Sequence, residues 1–145
     1  MKPLKNSSGI KAARVIAIVL LTTVGITAMV GGAALVLDPS GQSMDTNIES
    51  LAGTMFESYR APGIILFLAL GVMGLSVALL TMGNYTNHPI LILYQGIILT
   101  GWIMAQLYLL PFTHYLQGVC GIAGIMLMLL GSYLLIKKNH LRILY

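Results

Sequence analysis

Four apolar runs, each about as long as a membrane-spanning helix, take up most of this chain. They cover about residues 15–37, 62–82, 89–110 and 115–136, and none of them contains an aspartate, glutamate, lysine or arginine. The hydrocarbon core of a bilayer is about 30 Å thick and is crossed by roughly 20 residues of α-helix. The sequence therefore predicts an all-α membrane protein, a four-transmembrane-helix bundle that forms a single domain over residues 1–145.

The small number of charged residues supports this prediction. Only 8% of the residues are charged and 57% are hydrophobic, whereas a soluble domain carries about 25% charged residues. A water-facing surface cannot be built from this supply, so membrane lipid is the expected neighbour of most side chains. The first run is longer than the core of a cleaved signal peptide, which spans about 7–15 residues, and is expected to be a retained helix.

The positions of the basic residues predict the orientation of the bundle. Seven of the eight lie in the two tails, and the eighth is Arg60, between the first two runs. Cytoplasmic segments are enriched in lysine and arginine, and an even number of crossings returns both termini to one side. Both termini are therefore predicted to be cytoplasmic. These cations are not gathered on one face with aromatic residues between them, so a nucleic-acid partner is not expected.

The connection between the first two runs is expected to lie outside, and it has its own pattern. Its apolar residues recur at the spacing of one helical face, which predicts an amphipathic interfacial helix over about 43–59. Two interpretations remain open for this helix, a packed connector or a lid or docking surface. Asp38 and Arg60 would lie at similar depth at its two ends and are predicted to form an ion pair. The candidate docking face consists of Met44, Ile48, Leu51, Met55, Phe56 and Tyr59.

Small residues recur along all four runs and favour close packing of the helices. Gly32 in the first run, Gly71 and Gly74 in the second and Gly101-x-x-x-Ala105 in the third are typical of such contacts. We interpret them first as packing within the chain. The same glycine-rich faces would also allow a protein partner or a homo-oligomer.

The third run is the most polar and suggests a site. Gln95, Trp102 and Gln106 share one helical face, with Tyr108 nearby, and Gln117 in the fourth run is expected at the depth of Gln106. An amide in hydrocarbon needs a partner. One interpretation is a Gln106–Gln117 clasp between the two helices. The other is a polar pocket beneath the outer helix.

No pattern of catalytic or cofactor-binding residues accompanies these features. His88, His114 and His140 are expected at different levels, which disfavours a shared haem or metal. The spacings of hydrolase triads, metal motifs and phosphate loops are missing from the sequence, and so is the intramembrane carboxylate that proton pumping normally needs. A non-enzymatic protein without cofactor or metal is expected.

The segments that flank the first connection resemble a known pattern. Gly31-Gly32-Ala33-Ala34-Leu35 precedes Leu37-Asp38-Pro39-Ser40-Gly41, and Pro62-Gly63 opens the second run. In this the chain resembles a group of small uncharacterised bacterial integral membrane proteins with four predicted helices. The resemblance implies this topology and a bacterial inner membrane, and it implies no activity.

Two functions are compatible with these observations. The first is an accessory or interaction subunit that docks a partner through the connection or a glycine-rich face. The second is a small-molecule or lipid binding or transport protein, with an outward-facing pocket below the connection.

Overall fold

A computed structural model describes residues 8–44, 48–109 and 115–143, and in this part of the chain it is helical without strands. Its long helices are α1 (Ser8–Leu37), α2 (Arg60–Met82), α3 (His88–Leu109) and α4 (Tyr115–Ile143). Each is long enough and apolar enough to cross a membrane. The predicted all-α, four-helix architecture is confirmed to that extent.

The helix boundaries follow the apolar runs closely except at the two tails. Helix α1 begins at Ser8 rather than near residue 15, and α4 continues to Ile143 rather than ending near residue 136. Hydropathy marks where a helix would leave lipid, whereas the backbone hydrogen bonds continue through the polar residues beyond. Helix α2 begins at Arg60, which places Pro62 in the first turn, where the missing N–H costs nothing.

Helices α1 and α2 form a first hairpin through direct backbone approach. A Cβ atom on Gly32 would lie 2.7 Å from both the carbonyl oxygen of Gly63 and the amide nitrogen of Phe67. A Cβ atom on Gly71 would lie 2.5 Å from Cγ of Met29. Glycine at these positions lets the two helices pack at a distance that no other residue permits.

Helices α3 and α4 form a second hairpin in the same way. A Cβ atom on Gly96 would lie 2.7 Å from the amide nitrogen of Met128, and one on Gly131 would lie 2.6 Å from that of Leu93. The prediction that small residues pack within the chain is therefore correct for most positions. Gly101 is different, because no described atom beyond its chain neighbours and its own helix backbone lies within 4 Å of its Cβ position.

The two hairpins meet mainly at one end of the bundle. We call this the tail end, because it holds the start of α1, the end of α4 and the turn between α2 and α3; the opposite end, with residues 38–59, is the loop end. At the tail end, a Cβ atom on Gly9 would lie 3.0 Å from the Tyr133 hydroxyl of α4. Lys138 of α4 donates to the carbonyl oxygen of Thr86 in the turn. Buried side chains from all four helices form the core, including Leu21, Leu70, Ile92, Leu99 and Leu127.

Halfway along the bundle, α2 contains a π-helical segment, Leu66–Val72. The Gln95 side chain of α3 donates from Nε2 to the carbonyl oxygen of Ala69 in this segment, at 3.1 Å. This bond joins the two hairpins just on the tail side of Leu70 and Leu99. Single π-helical turns within α-helices often accompany functional sites.

The connection at the loop end differs from its prediction. Its described residues form two short 3₁₀ helices, Gln42–Met44 and Ile48–Leu51, followed by turns, instead of one amphipathic α-helix over 43–59. Gly53 has φ +88°, a conformation that ends a right-handed helix. The periodic apolar face is broken there because Leu51 and Tyr59 pack together against Leu35 of α1.

The predicted Asp38–Arg60 ion pair is wrong. The Asp38 carboxylate instead accepts hydrogen bonds from the Ser40 hydroxyl and from the backbone N–H of Ser43, the latter at 2.9 Å. These bonds, the Ser40 hydroxyl first, hold the pKa of Asp38 below its ordinary value of 3.8. A backbone bond closes the neck of the connection in place of the ion pair, from the N–H of Tyr59 to the carbonyl oxygen of Pro39 at 3.0 Å.

Candidate functional site

A cavity of about 540 Å³ lies between the two hairpins at the loop end. It forms there because the glycine contacts hold each hairpin together, while the contacts between the hairpins lie further toward the tail end. All four helices and the connection contribute to its wall. The lining residues are Val24, Thr27, Ala28, Gly31 and Leu35 of α1; Met44, Leu51, Met55, Phe56 and Tyr59 of the connection; Pro62, Leu66 and Leu70 of α2; Leu99, Trp102, Ile103, Ala105 and Gln106 of α3; and Leu116, Gln117 and Cys120 of α4.

The floor and the roof of the cavity have different origins. Leu70 and Leu99 close the floor, and both are almost completely buried. The connection forms the roof, where Tyr59 is 4% exposed and Met55 is 90% exposed. The roof therefore combines a fixed part, anchored in the core, with a methionine that has little contact with the rest of the protein.

The cavity also reaches the side of the bundle. Thr27 of α1 and Leu116 of α4 both line it, and both are exposed to the surroundings. These two helices approach each other at the tail end, where Gly9 lies against Tyr133. At the loop end, exposed residues of both α1 and α4 therefore belong to the cavity wall.

Three polar side chains in the wall lack hydrogen-bond partners. Nε1 of Trp102 and Oε1 of Gln117 are buried and have no hydrogen-bond partner among the described residues. Gln106, which is half-buried, makes no hydrogen bond to any described residue. Most buried polar atoms in proteins are paired, so unpaired atoms in the wall of a cavity point to a partner that comes from outside the protein.

The polar residues predicted from the sequence divide into three groups. Trp102, Gln106 and Gln117 line the cavity. Gln95 lies on the tail side of the floor, is 3% exposed and bonds to Ala69. Tyr108 is 91% exposed and faces away. No hydrogen bond joins the Gln106 and Gln117 side chains, so the predicted clasp is not formed, and the glutamine of α3 that bonds to another helix is Gln95.

The residues of the predicted docking face fall into a buried group and an exposed group. Leu51 and Tyr59 are buried, and Phe56 packs against them. Met44 and Met55 are exposed at the rim of the cavity, and Ile48 is exposed beside it. The apolar residues of the connection therefore cover the cavity more than they form one continuous outward surface.

Sequence reasoning missed most of the apolar wall. Thr27, Ala28 and Gly31 of α1 and Cys120 of α4 line the cavity, yet each lies in an apolar run with nothing to distinguish it from its neighbours. Only Gly31 gave a weak signal of open space. Gly32 already provides the close contact between α1 and α2, so that contact does not require a second glycine beside it. A Cβ atom at Gly31 would meet only Leu66 Cδ2 at 3.6 Å and Met44 Cε at 3.8 Å, both of which belong to lining residues.

The chemistry of the wall suits binding. Its described residues include no aspartate, glutamate, lysine, arginine or histidine. In the described part of the chain, no group of three histidine, cysteine, aspartate or glutamate side chains is placed to hold a metal ion. An apolar wall with a few polar atoms, in a volume of this size, is typical of small-molecule sites.

No protein-family model, curated protein or solved structure matches this chain.

Proposed function

We propose that this chain is an integral membrane protein that binds one lipid-like molecule in the cavity between its two hairpins. The observation that carries the proposal is the cavity itself, about 540 Å³, with an apolar wall that contains unpaired Trp102 and Gln117 atoms. Ligand sites are commonly 300–1,000 Å³, mostly apolar, with a few polar groups that fix the ligand's orientation. The proposed role is binding or transport of this molecule, without catalysis.

The outer surface of the helices supports insertion into a bilayer. Val19 and Val30 of α1, Leu79 of α2 and Leu129 of α4 are each more than half exposed. A soluble monomer rarely exposes apolar patches of more than a few hundred Å², and here such side chains occur along the helices. In a bilayer this surface faces lipid, and the exposed lining residues Thr27 and Leu116 mark the side from which a ligand would enter from the membrane.

The charges favour one orientation, with the tail end in the cytoplasm. The tails hold seven of the eight basic residues, and all four acidic residues lie in the segment 38–57 at the loop end. The positive-inside tendency places such tails in the cytoplasm, and the resemblance noted above supports a bacterial inner membrane. In a Cys120→Ser background, a membrane-impermeant maleimide added to intact cells should label Glu57→Cys and leave Lys5→Cys unmodified. Labelling of Lys5→Cys alone would reverse the orientation.

Trp102 allows a direct binding test because it is the only tryptophan in the chain and lines the cavity. A brominated long-chain alcohol is titrated into the reconstituted protein while the fluorescence of Trp102 is recorded. We expect quenching that saturates at one molecule per chain. Quenching that only rises in proportion to the amount of quencher in the bilayer would indicate contact with bulk lipid and would reject the site.

A second candidate is an interaction subunit, favoured by the outward face of α3. Gly101 has open space at its Cβ position, and Tyr108, two turns further along α3, is 91% exposed. A partner helix could approach closely there. Co-purification of a protein partner that is lost in Gly101→Phe would favour this role.

A further inference from the structure

The charge and polarity of the cavity wall restrict the ligand further. We propose that the ligand is a neutral amphiphile whose headgroup both donates and accepts hydrogen bonds, such as a long-chain alcohol. This inference rests on the proposed binding function and adds the ligand's chemical class.

The neutrality of the ligand follows from the wall. None of its described residues carries a charge, and the cations of the tail end lie beyond the buried Leu70–Leu99 floor and the Gln95–Ala69 bond. An ionised group that enters a site of low dielectric without a counter-ion loses its hydration and gains little in return. Phosphate, sulfate and quaternary ammonium headgroups therefore do not suit this cavity.

The need for a hydrogen-bonding headgroup follows from the unpaired atoms. Trp102 Nε1 can only donate, and Gln117 Oε1 can only accept; both are buried without a partner. A hydroxyl group does both, so it is the simplest headgroup that offers a partner to either atom. A pure hydrocarbon would leave both unpaired.

The order of residues along the helices gives the direction of the ligand. On α3, the lining residues from the floor toward the loop end are Leu99, Trp102 and Gln106. On α4, Gln117 lies nearer the loop end than Cys120. The floor is formed by apolar residues alone. Seven residues of helix separate Leu99 from Gln106, about 10 Å of rise. The headgroup therefore lies toward the loop end and the alkyl chain extends toward the floor.

The test compares ligands that share one alkyl chain and differ in headgroup. Hexadecanol, hexadecane, hexadecyl sulfate and hexadecyltrimethylammonium are titrated onto the reconstituted full chain, and the bound fraction is read by native mass spectrometry. We expect hexadecanol to bind at least about tenfold more tightly than each of the others, which corresponds to about 1.4 kcal/mol. Trp102→Phe with Gln117→Leu should remove the preference for hexadecanol over hexadecane. Tyr108→Phe, which removes a hydroxyl outside the cavity wall, should keep it.

The outcomes separate the ligand class from the proposed function. If hexadecane or an ionised compound binds as tightly as hexadecanol, the neutral hydrogen-bonding headgroup is wrong and the binding cavity stands. If none of them binds at one per chain, the binding function itself is wrong. The comparison of ligands on the unmodified protein decides between these results even if a variant folds poorly.

Discussion

Gly32→Ala is expected to lower the free energy of unfolding by about 2 kcal/mol or more. The added Cβ atom would lie 2.7 Å from the carbonyl oxygen of Gly63 and from the amide nitrogen of Phe67. Overpacking typically costs about 1–3 kcal/mol, and the upper part of that range applies because α2 meets the new atom with its backbone, which cannot turn aside. The better helix propensity of alanine offsets about 1 kcal/mol of a larger gross cost.

The matched control is Gly101→Ala, where no described atom of another helix lies within 4 Å of the Cβ position. At that position the only expected effect is the higher helix propensity of alanine, so the variant should be as stable as the unmodified protein or more stable. Both variants are unfolded by titration with dodecyl sulfate from the same mild detergent, and helicity is followed by circular dichroism. Equal stability of the two variants would mean that α1 and α2 do not approach as closely as described.

Gly31→Phe is expected to weaken ligand binding at least about tenfold, or about 1.4 kcal/mol, while the protein stays folded. A Cβ atom at Gly31 makes ordinary contacts with Leu66 Cδ2 at 3.6 Å and Met44 Cε at 3.8 Å. Both neighbours are ends of flexible side chains that line the cavity, so a phenyl ring extends into the space that the ligand would fill. The adjacent Gly32 contact with α2 is left intact.

Gly101→Phe adds the same ring to a glycine that lies outside the cavity wall. Its binding curve should match that of the unmodified protein in the Trp102 quenching titration. If both phenylalanine variants bind normally, the ligand does not occupy the cavity. If both lose binding to the same extent, the effect is not specific to the cavity wall.

The long helices could be predicted from the sequence because the bilayer imposes a simple requirement of length and polarity. Four uncharged runs meet it, and their boundaries agree with the structure at Asp38 and at Gly83, where a polar turn and a glycine end the run. Glycines that recur on one helix face gave the intrachain contacts correctly for Gly32 and Gly71. They could not show that Gly101 faces outward, because a small residue is compatible with a helix contact and with an open surface alike.

The connection and the site were harder to predict. The spacing of Leu51, Met55 and Tyr59 predicts a helix, but Gly53 with positive φ and the packing of Tyr59 against Leu35 override it. Asp38 was expected to pair with Arg60, but its carboxylate accepts hydrogen bonds from Ser40 and Ser43 instead. Ordering these nearby residues costs less conformational entropy than ordering a long arginine side chain. Trp102, Gln106 and Gln117 were selected because polar groups are rare in apolar runs. The cavity beside these residues could not be predicted, because it depends on how the two hairpins diverge and not on any local sequence pattern.

The most direct test of the account is the mass of the protein as it comes from its own membrane. The chain is extracted in mild detergent with no ligand added and is examined by native mass spectrometry beside Gly31→Phe and Gly101→Phe. We expect one neutral lipid-like molecule bound per chain in the unmodified protein and in Gly101→Phe, and none in Gly31→Phe. A bare unmodified chain, or an equal load in all three proteins, would contradict it.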